Sequence, residues 1–306
     1  MSLRKSVTLK VDEETSKKVI DFYNAFKCPN ENEYISFFAK KDGLTITLYS
    51  SKKEDEYKLI FMGTHPLDEA LIWDKDAKEN EPKKKTAPKK ACWIVLSDQI
   101  GSDEVGTGDF FGPICVAAAF VKESNITRLK ALGIDDSKRL KDADILRLGE
   151  ILIKEFSYSQ VALDNVKYNE LIDKGLNINE MKCKLHNQVL LNLHKKFPSV
   201  KGIYVDQFVS ESKYYKYLSD SKSVVNGITF KTKGESYFPC VAVASIIARY
   251  SFLKKMEKLS QKYGREIPFG ASKKVTEFAQ QFANDFSKEE LLKIVKKNFA
   301  NLSEVI

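Results

Sequence analysis

The stretch Ile100-Gly101-Ser102-Asp103-Glu104-Val105-Gly106-Thr107-Gly108-Asp109 reads as an apolar strand that runs into two adjacent carboxylates and then a Gly-x-Gly turn. Neighbouring side chains of a strand point to opposite faces, so Asp103 and Glu104 cannot both lie flat on one surface. Both still reach one ion cluster if it sits at the strand end, where the backbone bends away. Glycines allow that bend and hold no side-chain bulk against a ligand. An isolated Asp-Glu-Gly is more often a solvated hairpin tip, and the weight here comes from two further acids in comparable settings.

Gly202-Ile203-Tyr204-Val205-Asp206-Gln207 is a second short apolar strand ending in a carboxylate. In open α/β sheets, ligand chemistry gathers beyond the carboxyl ends of strands. Thr232-Lys233-Gly234-Glu235-Ser236 sets a fourth acid ahead of the apolar helix Pro239–Ala248. Taken singly, Asp206 and Glu235 read as helix caps or turn residues. Taken together, Asp103, Glu104, Asp206 and Glu235 make a nest of hard oxygen ligands that suits Mg²⁺ or Mn²⁺, with no nearby His or Cys of the kind zinc favours. Such carboxylates repel unless divalent cations neutralise them. Two such ions can flank a scissile phosphate, one activating water and the other stabilising the leaving oxygen. The residues alone point to a metal-dependent phosphodiesterase and leave its substrate open.

The rest of the chain sets the frame for that chemistry. Its 306 residues exceed what one compact core usually holds, so two domains are expected. With 43% hydrophobic and 30% charged residues it reads as a globular rather than a disordered chain. A net charge of +8 favours a polyanionic partner modestly. Cys28, Cys92, Cys115, Cys183 and Cys240 stand singly with no Cys-x-x-Cys, which fits a reducing compartment and argues against a disulfide framework or a structural zinc. Met1-Ser2-Leu3-Arg4-Lys5 leads into an alternating strand instead of a signal-peptide core, and apolar runs such as Ile114–Val121 fall far short of a membrane span. The expectation is a cytoplasmic protein, a monomer with no membrane association and no protein partner inferred.

Residues 74–90 carry two prolines, many charges and little to bury, the composition of a linker. Lys83, Lys84, Lys85, Lys89 and Lys90 form a basic run, of a kind more often solvated than phosphate-binding. Residues 1–73 read as a small β-α-β-β-β layer: a strand at Ser6–Val11, a helix capped by Asp12 with Val19, Tyr23 and Phe26 at helical spacing, then strands at Tyr34–Lys40, Leu44–Tyr49 and Tyr57–Met62. This layer has no acid cluster and serves as a docking surface. Residues 91–306 read as α/β, with strands at Trp93–Leu96, Ile100–Asp103, Phe110–Val121, Phe156–Leu163 and Gly202–Val205. Helices are expected at Asp142–Glu155, Ile178–Phe197 and Pro239–Tyr263, with two more after Ala271. The order implies a mixed central sheet with helices on its faces.

The segment Gly101–Pro113, with its Asp-Glu-Val-Gly-Thr-Gly-Asp core, strongly resembles the first signature of the type 2 ribonucleases H. The likeness continues through Asp135–Leu140, Val205-Asp206, Gly234-Glu235-Ser236, Val241–Arg249 and Ile267–Ser272, and so covers most of residues 93–306. Thr107 stands where the HII branch typically has Arg, and Glu235 where that branch typically has Asp. Both, with the separate amino-terminal layer, resemble ribonuclease HIII.

The resemblance implies an α/β ribonuclease H-like fold, a mixed five-stranded sheet flanked by helices, preceded by a small α+β TATA-binding-protein-like domain that holds substrate. It implies an endonuclease that cuts the RNA strand of RNA–DNA hybrids and leaves 5′-phosphate and 3′-hydroxyl ends. Asp103, Glu104, Asp206 and Glu235 would be its metal-binding catalytic acids, with Asp103 bridging a pair of Mg²⁺ or Mn²⁺ ions when substrate is bound. Gly106, Thr107 and Gly108 would bring main-chain groups to the minor groove to sense the 2′-hydroxyl. Lys138 would contact a phosphate or the acids. Ser245 is expected in close helix packing and Arg249 as an exposed helix arginine. His186 and His194 are expected outside the site, and Tyr263 as a candidate minor-groove tyrosine is left undecided. Two alternatives remain: a nuclease of the same core acting on branched DNA, and a non-catalytic nucleic-acid-binding protein whose acids are caps.

Overall fold

β5 (Gln99–Val105) is the middle strand of a five-stranded sheet in the computed structural model. The structure describes residues 5–30, 35–49, 56–80, 91–135 and 140–306. On one side β5 pairs antiparallel with β6 (Ile114–Val121), which pairs antiparallel with β7 (Ser157–Leu163). On the other side it pairs parallel with β8 (Gly202–Asp206), which pairs parallel with β9 (Ile228–Lys231). The sheet is mixed and five-stranded, as expected, but one strand differs. Trp93–Leu96 is not a strand. It runs beside the turn at Ser236-Tyr237, with Cys92 N–H on the Ser236 carbonyl (2.9 Å) and Ile94 N–H on that of Tyr237 (3.1 Å). β9, only four residues long and flanked by Gly227 and polar residues, supplies the fifth strand instead.

Period-two alternation sorts the sheet into two faces. Ala117, Ala119 and Val121 face α4 (Asp142–Glu155) and α8 (Pro239–Tyr263), while Val116, Ala118 and Phe120 pack with Val189, Leu190 and Leu193 of α6 (Ile178–Lys196). α8 lies so close to β5 that a Cβ on Gly101 would stand 2.5 Å from Cys240 Sγ and 2.9 Å from Val241 N. Glycine is required there by contact, and the contact fixes which turn of α8 lies over Asp103.

The expected strand Phe110–Val121 begins only at Ile114, because Gly112 (φ +79°) and Pro113 end the extended run. Phe110 and Phe111 instead enter a third core with Phe252, Phe282, Leu291 and Val295. That core is closed by α9 (Lys273–Asp285), with two short helices beyond it at Lys288–Leu292 and Ala300–Ser303. Short helices at Ile126–Ala131, Asn165–Asp173 and Glu211–Tyr217 complete this part of the chain.

The chain divides into two compact units, residues 1–87 and 88–306. In the first, β1 (Lys5–Val11), β2 (Ile35–Lys41), β3 (Leu44–Tyr49) and β4 (Tyr57–Gly63) form an antiparallel sheet in the order β1-β4-β3-β2. α1 (Glu13–Phe22) covers one face, with the Asp12 side chain accepting from Thr15 N–H at 2.8 Å as its cap. Val7, Leu9, Val19, Tyr23, Ile46 and Phe61 are its core. Part of the stretch read as a tether is packed: Asn80 N–H donates to the Ser6 carbonyl (2.8 Å), Val7 pairs with Glu79, and Ala77 lies against the core. Residues 81–90, with the five lysines of the basic run, lie outside the described residues. Among the described residues no helix is long and apolar enough to cross a membrane.

Candidate active site

The parallel register of β5 and β8 assembles the site. Gln99 lies opposite Gly202 and Ser102 opposite Val205, so the next step brings Asp103 level with Asp206. β9 pairs Lys231 with Asp206, and the chain then turns through Gly234–Ser236, where Gly234 N–H donates to Asp206 Oδ1 at 2.8 Å. A side chain on Gly234 would press on the Asp206 backbone at 3.3 Å. Asp103, Glu104, Asp206 and Glu235, drawn from three separate stretches of sequence, thereby line one cleft of about 570 Å³ together with Ser245, Lys233, Asp142 and Arg249.

Alternation along β5 sends the two adjacent acids to opposite faces. Asp103 turns toward α8, where Ser245 hydrogen-bonds it, and its Oδ1 accepts from Glu104 N–H at 2.7 Å. Ser245 therefore does more than pack. Burial, then the charges of Glu104 and Asp206, push the Asp103 carboxyl well above the usual carboxylate range. Burial also raises Asp206, with Glu235 and Glu104 adding to the rise and the Gly234 N–H opposing it.

Glu104 turns toward α6 and meets two residues that sequence reasoning left out of the site. Its Oε2 lies 2.9 Å from His186 Nε2 and its Oε1 lies 2.5 Å from Lys182 Nζ. Burial pushes this carboxyl up, but His186 and Lys182 outweigh it and hold Glu104 below its ordinary value. An ionised carboxylate only accepts, so His186 Nε2 carries the hydrogen, and Nδ1 meets the Ser102 hydroxyl at 2.8 Å. Ser102, His186 and Glu104 have the spacing of a nucleophile triad. Yet Ser102 and His186 are both 0% exposed, so no substrate reaches the hydroxyl, and the chain orients Glu104 instead. The expectation that His186 lies outside the site is corrected. Its i, i+4 spacing from Lys182 on α6 was the available signal, since it puts both on one helix face.

Arg249 also departs from the expected exposed position. It grips Asp142 through two hydrogen bonds (3.1 and 3.0 Å) and lies over the rings of Phe252 and Phe269. Tyr263 packs on Phe282 with its hydroxyl on Glu290 (2.7 Å) and does not line the cleft. Lys138 lies outside the described residues.

The Gly-Thr-Gly turn follows β5. Gly106 has φ +97°, and a Cβ there would stand 2.2 Å from the Pro113 carbonyl, so the fold demands glycine. Gly108 is exposed, and a Cβ there would meet nothing within 4 Å. The loop is braced from below by Lys296, wholly buried, whose Nζ donates to the carbonyls of Asp109 (2.7 Å) and Gly112 (2.6 Å). Burial lowers the Lys296 ammonium to about 7, against the opposing pull of Asp109 and Cys115.

Among the described residues, no three His, Cys, Asp or Glu side chains come together as a finished cage for an ion. Asp103 and Asp206 nonetheless set two oxygen-donor carboxyls at an open cleft, both pushed up by burial and acidic neighbours, so that a cation arriving in place of a proton would relieve them. That half-built arrangement fits Mg²⁺ or Mn²⁺ better than a closed structural site, because such ions keep waters and take substrate phosphate into their shell.

Comparison with known proteins shows what the chain as a whole is similar to. The family model for ribonuclease HII matches residues 100–302, and that of a domain of unknown function (DUF3378) matches residues 6–86. A ribonuclease HIII from Bacillus velezensis is 39% identical over 96% of this chain and 94% of its own, and one from Listeria monocytogenes 38% over 97% and 96%. The crystal structure of Bst-RNase HIII in complex with Mn²⁺ superposes with a TM-score of 0.67 at 32% identity, covering 98% of this chain and 97% of that one. With matches that run through both units, the chain belongs to the ribonuclease HIII branch of the type 2 ribonucleases H.

Proposed function

We propose that this protein is an endoribonuclease that hydrolyses the RNA strand of RNA–DNA hybrids, leaving 5′-phosphate and 3′-hydroxyl ends. The observation that carries the site is the β5–β8 register, which sets Asp103 and Asp206 side by side at an open cleft. Asp103, Glu104, Asp206 and Glu235 would hold divalent cations, either Mg²⁺ or Mn²⁺. Bound there, such ions supply an activated water and stabilise the departing oxygen.

The protein's own groups do the rest. Ser245 and the Glu104 N–H fix the Asp103 carboxylate, and Gly234 N–H fixes that of Asp206. Gly108 has no steric reason within the fold to lack a side chain, which supports close approach by an outside partner at the Gly106-Thr107-Gly108 turn. The main chain there would read the 2′-hydroxyl, the group that separates RNA from DNA. Lys138 is proposed to contact phosphate. Branched DNA, the alternative substrate, offers that turn no 2′-hydroxyl. The first unit, with Thr8, Lys10, Phe38, Lys40, Lys58 and Met62 on the sheet face away from α1, is proposed to hold the hybrid as a monomer's second grip.

A strand-labelled cleavage assay on RNA–DNA hybrid, duplex RNA, duplex DNA and DNA with one ribonucleotide tests the proposal. Cutting confined to RNA strands within hybrid, abolished by EDTA and by Asp103→Asn, is expected. The loss in Asp103→Asn should be at least about 10³-fold, beyond the 10–100-fold typical of residues that only orient a ligand. Cleavage that survives EDTA would overturn it.

A further inference from the structure

Lys182 is an ammonium in an unusual place. Its side chain is 8% exposed and its partner Glu104 11%, so neither charge reaches bulk water freely. Nζ contacts Glu104 Oε1 at 2.5 Å and sits 3.8 Å above the centre of the Phe208 ring. An aromatic face and a carboxylate together hold a cation that would otherwise be costly to bury. The other oxygen of Glu104 is held by His186, itself braced by Ser102 and set 5.1 Å from the centre of the same Phe208 ring, tilted at 34° to it. Glu104 is thus anchored from one face of the sheet while Asp103 and Asp206 crowd the strand end beside it.

We propose that Lys182 is a built-in counter-cation of the acid cluster, which stabilises the ion-free protein and sets how tightly the cluster takes a divalent cation. The proposal rests on the reading of these acids as the metal-binding group. A fixed positive charge beside the carboxylates relieves their repulsion when no ion is present and repels an ion that arrives. It therefore favours the ion-free form over the ion-bound form, and by linkage its removal tightens binding. A lysine placed for packing alone, with its stem filling space, has no such effect on affinity.

The test is calorimetric titration of the full-length protein with Mn²⁺, without nucleic acid, for the parent, Lys182→Met and Lys182→Arg, alongside melting temperatures with and without the ion. Lys182→Met should bind Mn²⁺ tighter by about tenfold or more, the scale on which neighbours of a ligand sphere alter affinity. It should also melt earlier without the ion and gain more on saturation. Lys182→Arg, which keeps the charge, should titrate like the parent. Should Lys182→Met fail to fold, Lys182→Gln keeps a donor to Glu104 without the charge and is expected to tighten binding likewise. A folded, uncharged variant with parental or weaker Mn²⁺ affinity would overturn the proposal. Asp103→Asn separates the two readings: if the parent and Asp103→Asn take up Mn²⁺ alike, the metal-binding reading fails, whatever Lys182 does.

Discussion

Asp103 carries a buried carboxyl that burial, Glu104 and Asp206 together push well above the usual range. In the unfolded chain the same group titrates normally, so above the ordinary carboxylate range the folded state holds a proton that the unfolded state has lost. Stability of the ion-free protein therefore falls as pH rises, and the penalty is absent in acid where both states are protonated. Asp103→Asn removes it. In EDTA near neutral pH this variant should melt a few degrees above the parent, about what 1 kcal/mol produces in a unit of this size, and the gain should shrink as pH falls toward 4. Thermal melts across pH 4–8 check this, and a variant that melts below the parent throughout would contradict it. Lys182 and His186 act in the opposite sense on Glu104, which is why two adjacent acids on one strand have opposite shifts.

At the level of elements, β5 and the loop after it hold two kinds of glycine. Gly101 touches α8, and a Cβ there meets Cys240 Sγ at 2.5 Å and backbone at 2.9 Å, so Gly101→Ala should destabilise by about 1–3 kcal/mol in urea melts. Gly108 faces open space, so Gly108→Ala should keep parental stability yet raise KM for hybrid. Unchanged KM would remove the turn from the substrate-reading role. The same elements mark what could be read from sequence. Asp142–Glu155 and Pro239–Tyr263 form over the expected residues, because the apolar spacing of the first, and the long apolar run of the second between the Pro239 start and the Gly264 stop, are local signals. β9 escaped because its alternation, Ile-Thr-Phe-Lys, lasts only four residues and is too short to stand out from the loops around it, and its pairing with β8 is a long-range fact. Trp93–Leu96 is a run of four apolar residues, mostly β-branched or aromatic, that reads as a strand but finds a turn beside it instead of a sheet edge, leaving Ile94 and Leu96 exposed. Asp103, Glu104 and Asp206 read as strand-end carboxylates and Glu235 as an acid ahead of a helix, whereas His186 and Lys182 on α6 take their meaning from a strand some eighty residues away.

For the whole molecule, the proposed reading gives cutting to the second unit and holding of the hybrid to the first. The sheet face of residues 1–87 away from α1 mixes basic and apolar side chains, and its removal should weaken hybrid affinity more than it slows turnover at saturating substrate. Affinity of the full chain should fall with added salt, because phosphate contacts release counterions, and the truncated form should show a shallower salt slope. Equal affinities and slopes would assign the first unit another role. The claim beneath all of this is that acids from β5, β8 and the turn after β9 gather divalent ions at one cleft. Crystals of Asp103→Asn and of the parent, grown with Mn²⁺ and a hybrid whose RNA strand carries a non-hydrolysable linkage and measured at the manganese absorption edge, examine it most directly. The parent should show anomalous peaks between Asp103, Asp206 and Glu235 against an RNA phosphate, and the variant should lose them. A parent with no manganese among these carboxylates, hybrid bound, would contradict the account.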